Sequence, residues 1–437
     1  MKTITLNGKW NLYFNLESGN MPSTIDEVKE QKWPRIDAVV PGNVELDLVR
    51  AGIEEDPFYS QNLYNFRKYE FYQWWFEKEF KVPEDYRGKD VFLLLKGLNT
   101  FGSIWINGEI AGQVSNMLIE HELDITNLIK IGDKNHIAIR IESPINKVRD
   151  KEFPVNVTSA GNIDEMVWLR MPPHSFGWDI APRLLSAGIW RDIEIVAREK
   201  TYIKEVYYAT RDLNANKAEL VVKFRFKTDK PILDDFSVRI TGKCEDSIIE
   251  GSYKTKFCSD EAILVVPNPK LWWPKGYGKQ HLYDMEFQLL YKGEVVDTYR
   301  NRIGIRLFEI ETEYDSDMDN NEFKIWVNGT PVMAKGTNWV ALDALHSRDK
   351  DRLKKAHDML DDLGCNIVRC WGGNVYEDHE FFDLCDERGI MVWQDFTLAC
   401  GIYPQNDEFC SIIENEATAI VKKLRNHPSL LLWAGDN

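Results

Sequence analysis

The spacing of apolar residues changes near residue 310, and that change limits the folds open to the chain. Before it, apolar and polar residues alternate over short runs separated by turn residues, as in half-buried β-strands. Ser103-Ile104-Trp105-Ile106, Asn107-Gly108 and Glu109-Ile110-Ala111-Gly112 predict a hairpin, because both turn residues must take positive φ. Val91 to Leu95, Ile137 to Ile141 and Ile189 to Val196 read as further strands of a first sandwich. A second β unit opens near Tyr202, with strands at Glu219 to Phe226, Phe236 to Ile240, Ala262 to Val266 and Met285 to Tyr291. Its length fits an immunoglobulin-like sandwich. Leu271-Trp272-Trp273-Pro274 reads as a corner or edge, since proline cannot donate into a ladder.

Beyond residue 310 a hairpin, Phe323 to Val327, Asn328-Gly329 and Pro331 to Met333, leads into alternating strands and helices. Strands are expected at Asn338-Trp339, Asn366 to Cys370, Ile390 to Trp393 and Leu430 to Trp433. Helices are expected at Asp349 to Leu363, Tyr376 to Arg388 and Asp407 to Arg425. The first places Leu353, Ala356, Leu360 and Leu363 on one face and ends at a positive-φ Gly364; the third turns Phe409, Ile412, Ile413, Ile420 and Leu424 inward. Strand–helix alternation with short connections predicts a parallel sheet with right-handed crossovers. Residues 310–437 supply about half of the ~250 residues of a complete (β/α)8 barrel.

Charge and composition remove several function classes. Fifty-four Lys and Arg against 70 Asp and Glu give −16, which repels nucleic acid and anionic membrane surfaces. No apolar run approaches the ~18 residues of a membrane span. The N-terminus lacks a signal-peptide pattern, so a cytoplasmic location is expected, or a periplasmic or secreted one if a leader was removed. The seven cysteines form no CxxC and are expected as buried free thiols. Eight scattered histidines, without HExxH or Cys/His spacing, give no expectation of a metal, and no cofactor motif is present. Asn156-Val157-Thr158 and Asn328-Gly329-Thr330 are formal glycosylation sequons, read as chance occurrences. The 53 aromatic residues (15 Trp, 17 Tyr, 21 Phe) pack cores first, but such faces also stack on sugar rings.

Two regions could carry chemistry. Between Val148 and Ser186 the periodicity stops, yet Trp168, His174, Phe176, Trp178 and Asp179 cluster there. A long aromatic loop in a compact domain is usually functional. The C-terminal strand ends, where barrel active sites sit, read Asn338-Trp339, Trp371-Gly372-Gly373-Asn374, Asp395-Phe396 and Gly435-Asp436-Asn437. Amides, carboxylates and tryptophans together suit a polar, ring-shaped ligand.

Val368-Arg369-Cys370-Trp371-Gly372-Gly373 with Tyr376-Glu377, Trp393-Gln394-Asp395-Phe396 and Trp433-Ala434-Gly435-Asp436-Asn437 resemble glycoside hydrolase family 2, most closely its β-mannosidases. Asp56-Pro57-Phe58-Tyr59, Trp74-Trp75, Asn99-Thr100, Trp105-Ile106-Asn107-Gly108, Phe176-Gly177-Trp178-Asp179 with Pro182-Arg183, and Gly188-Ile189-Trp190-Arg191 resemble the family's first domain. The resemblance implies a galactose-binding-like jelly roll over 1–200, an immunoglobulin-like sandwich over 201–309 and the first half of a (β/α)8 TIM barrel over 310–437. It also implies a retaining, exo-acting hydrolase of terminal β-linked sugars, in which one Glu is acid/base and another nucleophile. The acid/base is expected just after Asn437 and the nucleophile further on. Both would then be absent, and the 437-residue chain inactive alone. Asp179, Trp178, Trp371 and Asn437 are the implied substrate-binding residues, with Arg369 and Asp395 supporting them. Asp395, Glu377 and Asp378 are poor substitutes for the missing pair. The pattern departs from the family at Asn374, Asp436 and Ile180-Ala181, which leaves the sugar open. The alternatives are a β-galactosidase, β-glucuronidase or exo-β-glucosaminidase activity, and a non-catalytic module that binds carbohydrate or completes its barrel with a partner. Unpaired edges of a half barrel would also favour homo-oligomers.

Overall fold

The computed structural model describes residues 2–152, 164–313 and 322–437. The Asn156 sequon and part of the aperiodic stretch after Val148 lie outside them. Period-two patterning in the first unit builds two antiparallel sheets. One has six strands, in the order Arg35–Val40, Gly8–Leu16, Tyr72–Lys81, Lys134–Glu142, Phe101–Ile106 and Glu109–Val114. The other has four: Lys2–Thr5, Ile193–Arg198, Asp90–Leu95 and His121–Asp124. Trp10, Leu12, Trp74, Phe76, Ile137 and Ile139 of the first meet Leu93, Leu95, Ile193 and Ile195 of the second in one core. Each such side chain contributes roughly 1.5–3 kcal/mol by burial. Trp75, on the outer face, packs with Val28 of the Ile25–Glu30 helix and with Trp33. The Asn107-Gly108 turn takes φ 53° and 87°, as a two-residue hairpin requires.

The strand expected from Ile189 to Val196 is two. Gly188–Ile189 pairs with Leu98–Asn99, and Ile193–Arg198 with Asp90–Leu95. Between them the Trp190 and Arg191 amides both turn to the Gly97 carbonyl, at 3.0 and 3.4 Å.

The second unit stacks a three-stranded sheet (Tyr202–Leu213, Lys217–Lys227, Ser259–Pro267) on a four-stranded one (Ser247–Lys254, Phe236–Cys244, Tyr283–Tyr291, Glu294–Ile303). Val206, Leu220, Phe224, Val238, Phe287 and Leu289 fill the space between them. The Leu271–Pro274 corner docks this sandwich on the third unit. Trp272 is fully buried among Ile325, Val327, Val332 and Met391, and its Nε1 donates to the Asp386 carbonyl at 2.8 Å.

In the third unit Phe308–Glu313, Glu322–Val327 and Thr330–Val332 form a small antiparallel sheet. Gly336–Trp339, Ile367–Cys370, Met391–Asp395 and Leu430–Ala434 then lie side by side, all parallel and in sequence order. Asp349–Asp362, His379–Arg388 and Asp407–Leu424 are the connecting helices. This is the start of a (β/α)8 barrel. No described helix is long and apolar enough to cross a membrane.

Three expectations need correction here. Leu363 is not inward: it is the C-cap residue ahead of Gly364 and is 73% exposed, while His357 fills the buried stripe against Trp339 and Phe381. The second helix starts at His379, because Asp378 caps it by accepting from the His379 amide, which leaves Tyr376 and Glu377 in the preceding loop. The cysteines are all free, but Cys400 and Cys410 are exposed, in a loop and on the outer face of the third helix.

The aromatic loop of the first unit forms the joint with the barrel. Met166, Val167, Leu169, Met171 and Phe176 share a core with Trp339, Val368, Phe381 and Val392. Residues from the first unit therefore reach the strand ends of the third.

Candidate active site

Along Ile367–Cys370 alternate residues face opposite ways. Val368 and Cys370 are buried, while Ile367 and Arg369 line an open depression of about 670 Å³ on the inner face, with Asn338, Trp393 and Phe323. One strand over, Asp395 is fully buried at the end of Met391–Asp395. Arg369 joins the strand ends: Nη2 donates to Asp395 Oδ2 at 2.6 Å and to Asn437 Oδ1 at 2.6 Å, and Nε reaches Asp395 Oδ1 at 3.3 Å. The Gly372 amide also donates to Asp395 Oδ2, at 3.2 Å. Asp395 is thus committed to positioning, with both oxygens occupied.

The Trp-Gly-Gly sequence follows from crowding. A Cβ on Gly372 would meet the Leu398 and Phe396 carbonyl oxygens at 2.6 and 2.7 Å. One on Gly373 would lie 2.1 Å from the Trp371 ring, which folds back over it. Gly373→Ala is therefore expected to displace the Trp371 indole, read as a changed near-ultraviolet circular dichroism spectrum with an unchanged far-ultraviolet one. The Gly373 carbonyl accepts from the His174 amide at 3.1 Å, which ties this loop to the first unit.

Trp178 comes from the first unit. It meets Trp371 edge to face, with ring centroids 5.1 Å apart and planes at 60°. Reciprocal backbone bonds between Trp178 and Ala181, 2.8 and 3.3 Å, close a tight turn with Asp179 and Ile180 at its exposed tip. Asp179 makes no hydrogen bond or ion pair with the described residues, so its carboxylate is available. Arg183 anchors the turn through a bidentate pair with Glu70, at 2.8 and 3.2 Å, and through Glu165 at 2.8 Å. The structure thus brings Trp178 and Trp371 into contact and links Arg369, Asp395 and Asn437, with Asp179 on the adjoining turn.

Asn437 has one amide function spare. Arg369 holds its Oδ1, its backbone N–H donates to the Leu398 carbonyl at 3.0 Å, and its Nδ2 has only the Cys400 thiol at 3.4 Å. Beside it Phe396 and Trp433 stack at 5.1 Å and 17°.

Glu377 and Asp378 serve the joint with the first unit. Glu377 is buried and accepts from Trp339 Nε1 at 2.8 Å; burial, reinforced by Asp349, pushes its carboxyl up to about 7. Asp378 caps its helix and pairs with Lys423 at 2.9 Å. Both line a cavity of about 320 Å³ with Lys96, Arg191 and His346.

Sequence reasoning missed Arg170 and Glu416, 3% and 2% exposed. Arg170 Nε and Nη2 donate to the two oxygens of Glu416 at 2.8 and 2.7 Å. Asn116 Nδ2 and Tyr376 Oη donate to the same carboxylate at 2.7 and 2.8 Å. Arg170 also reaches the Thr397 carbonyl at 2.7 Å, and the Thr397 amide donates to Tyr376 Oη at 2.9 Å. The signal was present: Glu416 occupies the inward stripe of its helix between Phe409 and Ile420, where a carboxylate must find a buried partner.

Three family models match the chain in order: "Glycosyl hydrolase 2 galactose-binding domain-like" over residues 23–191, "Glycosyl hydrolases family 2" over 201–306 and "Glycosyl hydrolases family 2, TIM barrel domain" over 319–437. The chain belongs to glycoside hydrolase family 2. Within the family it is similar to the β-mannosidase of Capra hircus, 29% identical over all of this chain and 50% of the relative, and to β-mannosidase B of Emericella nidulans, 30% identical over 91% and 47%. The crystal structure of β-D-mannosidase from Dictyoglomus thermophilum superposes with a TM-score of 0.87 at 33% identity, covering all of this chain and 52% of that one. The chain spans about half the length of the relatives it matches.

Proposed function

We propose that these residues form one side of the sugar-binding cleft of a retaining, exo-acting β-glycosidase of the β-mannosidase type. The arrangement that carries the reading is the Arg369 guanidinium joining Asp395 and Asn437 at adjacent strand ends. With Oδ1 of Asn437 held by Arg369, its Nδ2 is the group left to donate to a sugar hydroxyl. Trp371 and Trp178 give the cleft an apolar wall of the kind that stacks on a sugar ring. Asp179 offers a free carboxylate to further hydroxyls. No separate activity is assigned to Asp395, because Arg369 and the Gly372 amide already occupy both of its oxygens.

On this reading the acid/base and the nucleophile lie outside these 437 residues, about 5–5.5 Å apart in the assembled site as retention demands. The 437-residue chain is expected to release no aryl alcohol from an aryl β-mannoside. A polypeptide that continues through the second half of the barrel is expected to turn it over. Hydrolysis by the 437-residue chain alone would sink the assignment of both catalytic groups. An extended chain that binds mannosides without cleaving them would favour a carbohydrate-binding module.

A further inference from the structure

One residue of the first unit is tied to both aromatic walls of the cleft. His174 is fully buried in the short helical turn Pro173–Phe176. Its amide donates to the Gly373 carbonyl at 3.1 Å, beside Trp371, and its carbonyl accepts from the Gly177 amide at 3.0 Å, next to Trp178. Its ring meets the barrel edge to face: Nε2 lies 2.8 Å from Nε2 of the buried His346. His346 Nδ1 in turn contacts Asp349 Oδ2 at 2.6 Å, at the start of the first barrel helix. His174 Nδ1 has no partner among the described residues.

We propose that His174 and His346 are positioning residues for the Trp178–Trp371 wall, and that they hold it only while the imidazole pair is uncharged. The proposal rests on the cleft reading above for its consequence alone. The carboxylate of Asp349 keeps a proton on His346 Nδ1. The contact between the two Nε2 atoms then uses the proton of His174 and the lone pair of His346. A further proton goes to His346, which lines a cavity of about 320 Å³ and has Asp349 to favour its charge. His174 cannot take it instead, because burial, with His346 adding repulsion, holds that ring well below the ordinary histidine value. Both Nε2 atoms then carry hydrogen. The contact breaks, or His174 moves its proton to a buried Nδ1 that has no acceptor. Either way His174 shifts, and Gly373 and Gly177 carry the shift to Trp371 and Trp178.

The other charges around the pair do not supply this response. Arg191 stacks on Trp190, whose ring lies 5.6 Å from His346, and stays cationic throughout. Arg348 is paired with Asp343 at 2.7 Å, Lys96 with Glu194 at 3.0 Å, Lys350 with Glu380 at 3.4 Å and Asp378 with Lys423 at 2.9 Å. Asp192 adds a second carboxylate to Lys96 at 3.7 Å. Glu377 faces the same cavity, but burial pushes its carboxyl up to about 7, so it is already taking up its own proton when the pair charges.

The test is near-ultraviolet circular dichroism of the 437-residue chain between about pH 8 and about pH 5, the range in which histidine changes charge. The difference from Trp371→Phe assigns the band of the coupled indoles. That band is expected to be lost reversibly below about pH 6.5, with the far-ultraviolet spectrum unchanged. His346→Gln, whose amide oxygen can accept from His174 Nε2 and takes no proton, is expected to keep the band across the range. Asp349→Asn, which removes the carboxylate that favours the charged ring, is expected to move the loss down by about one pH unit. A band that does not change with pH, or a loss that neither substitution moves, overturns the proposal. The spectrum needs no ligand, so the cleft reading is tested apart from it: failure to bind methyl β-mannoside at neutral pH, with the transition intact, would count against the cleft and leave the histidine pair standing.

Discussion

Glu416→Ala is expected to destabilise the chain by about 3–5 kcal/mol, the scale for removing one partner of a buried ion pair. Arg170 would stay 3% exposed with the Thr397 carbonyl as its remaining acceptor. Asn116 Nδ2 and Tyr376 Oη would lose their acceptor in the same step. The loss should appear as a lower urea midpoint for unfolding of the intact chain. Replacing both members, Arg170→Met with Glu416→Leu, is expected to cost less than either change alone, because no charge is then left buried. A loss below about 1 kcal/mol in Glu416→Ala would show that water reaches the pair and that the joint does not depend on it. The effect should extend to the cleft. Thr397 belongs to the loop whose next residue, Leu398, accepts from the Asn437 amide, so Arg170 of the first unit helps to place Asn437 of the third.

Much of this architecture was readable in local rules. Asn107-Gly108 and Asn328-Gly329 announced hairpins because few other pairs tolerate two positive φ values, and both turns adopt them. The Asp407–Leu424 helix and the strands around Arg369 and Asp395 followed from periodicity alone. Three strands of the second sandwich, Tyr202–Leu213, Ser247–Lys254 and Glu294–Ile303, were missed. They are edges of their sheets, and along Glu294–Ile303 burial barely alternates, so the period-two signal fades. The strand-end tryptophan Trp371 was legible from its position just after an apolar strand and from the resemblance carried by Val368 to Gly373. The Arg170–Glu416 pair was not, since its partners are 246 residues apart and meet only when the aromatic loop docks on the barrel. The long loop stood out in the sequence as an aromatic stretch without periodicity, but what it touches is decided by packing between units.

Between about pH 5 and pH 8 the chain is expected to lose stability as pH rises, and Glu45→Gln should remove much of that loss. Glu45 opens the Val44–Arg50 helix and is 2% exposed. Burial pushes its carboxyl up to about 8, against the hydrogen bond from Ser186 Oγ at 2.7 Å, with Asp47 adding repulsion. Burial lifts Asp47 itself to about 6 and Glu377 to about 7. A folded-state value above the unfolded one means that the folded chain keeps a proton the unfolded chain has released. The contribution is therefore fully present below the unfolded value of 4.5 and is lost as pH climbs to the folded value. Each pH unit in that window costs about 1.4 kcal/mol per group. The amide of Glu45→Gln carries no charge and can still accept from Ser186, so the variant should gain on the wild type steadily towards pH 8. Urea midpoints measured at pH 5, 6.5 and 8 would read the slope, and parallel profiles for the two proteins would mean that Glu45 ionises in the folded chain without penalty. The consequence reaches the candidate site through Ser186. Its hydroxyl also accepts from Asn43, its carbonyl from Asn99, and it lies three residues after the Arg183 that anchors the Asp179 turn. Ionising Glu45 thus places an uncompensated charge behind the segment that anchors the Asp179 turn.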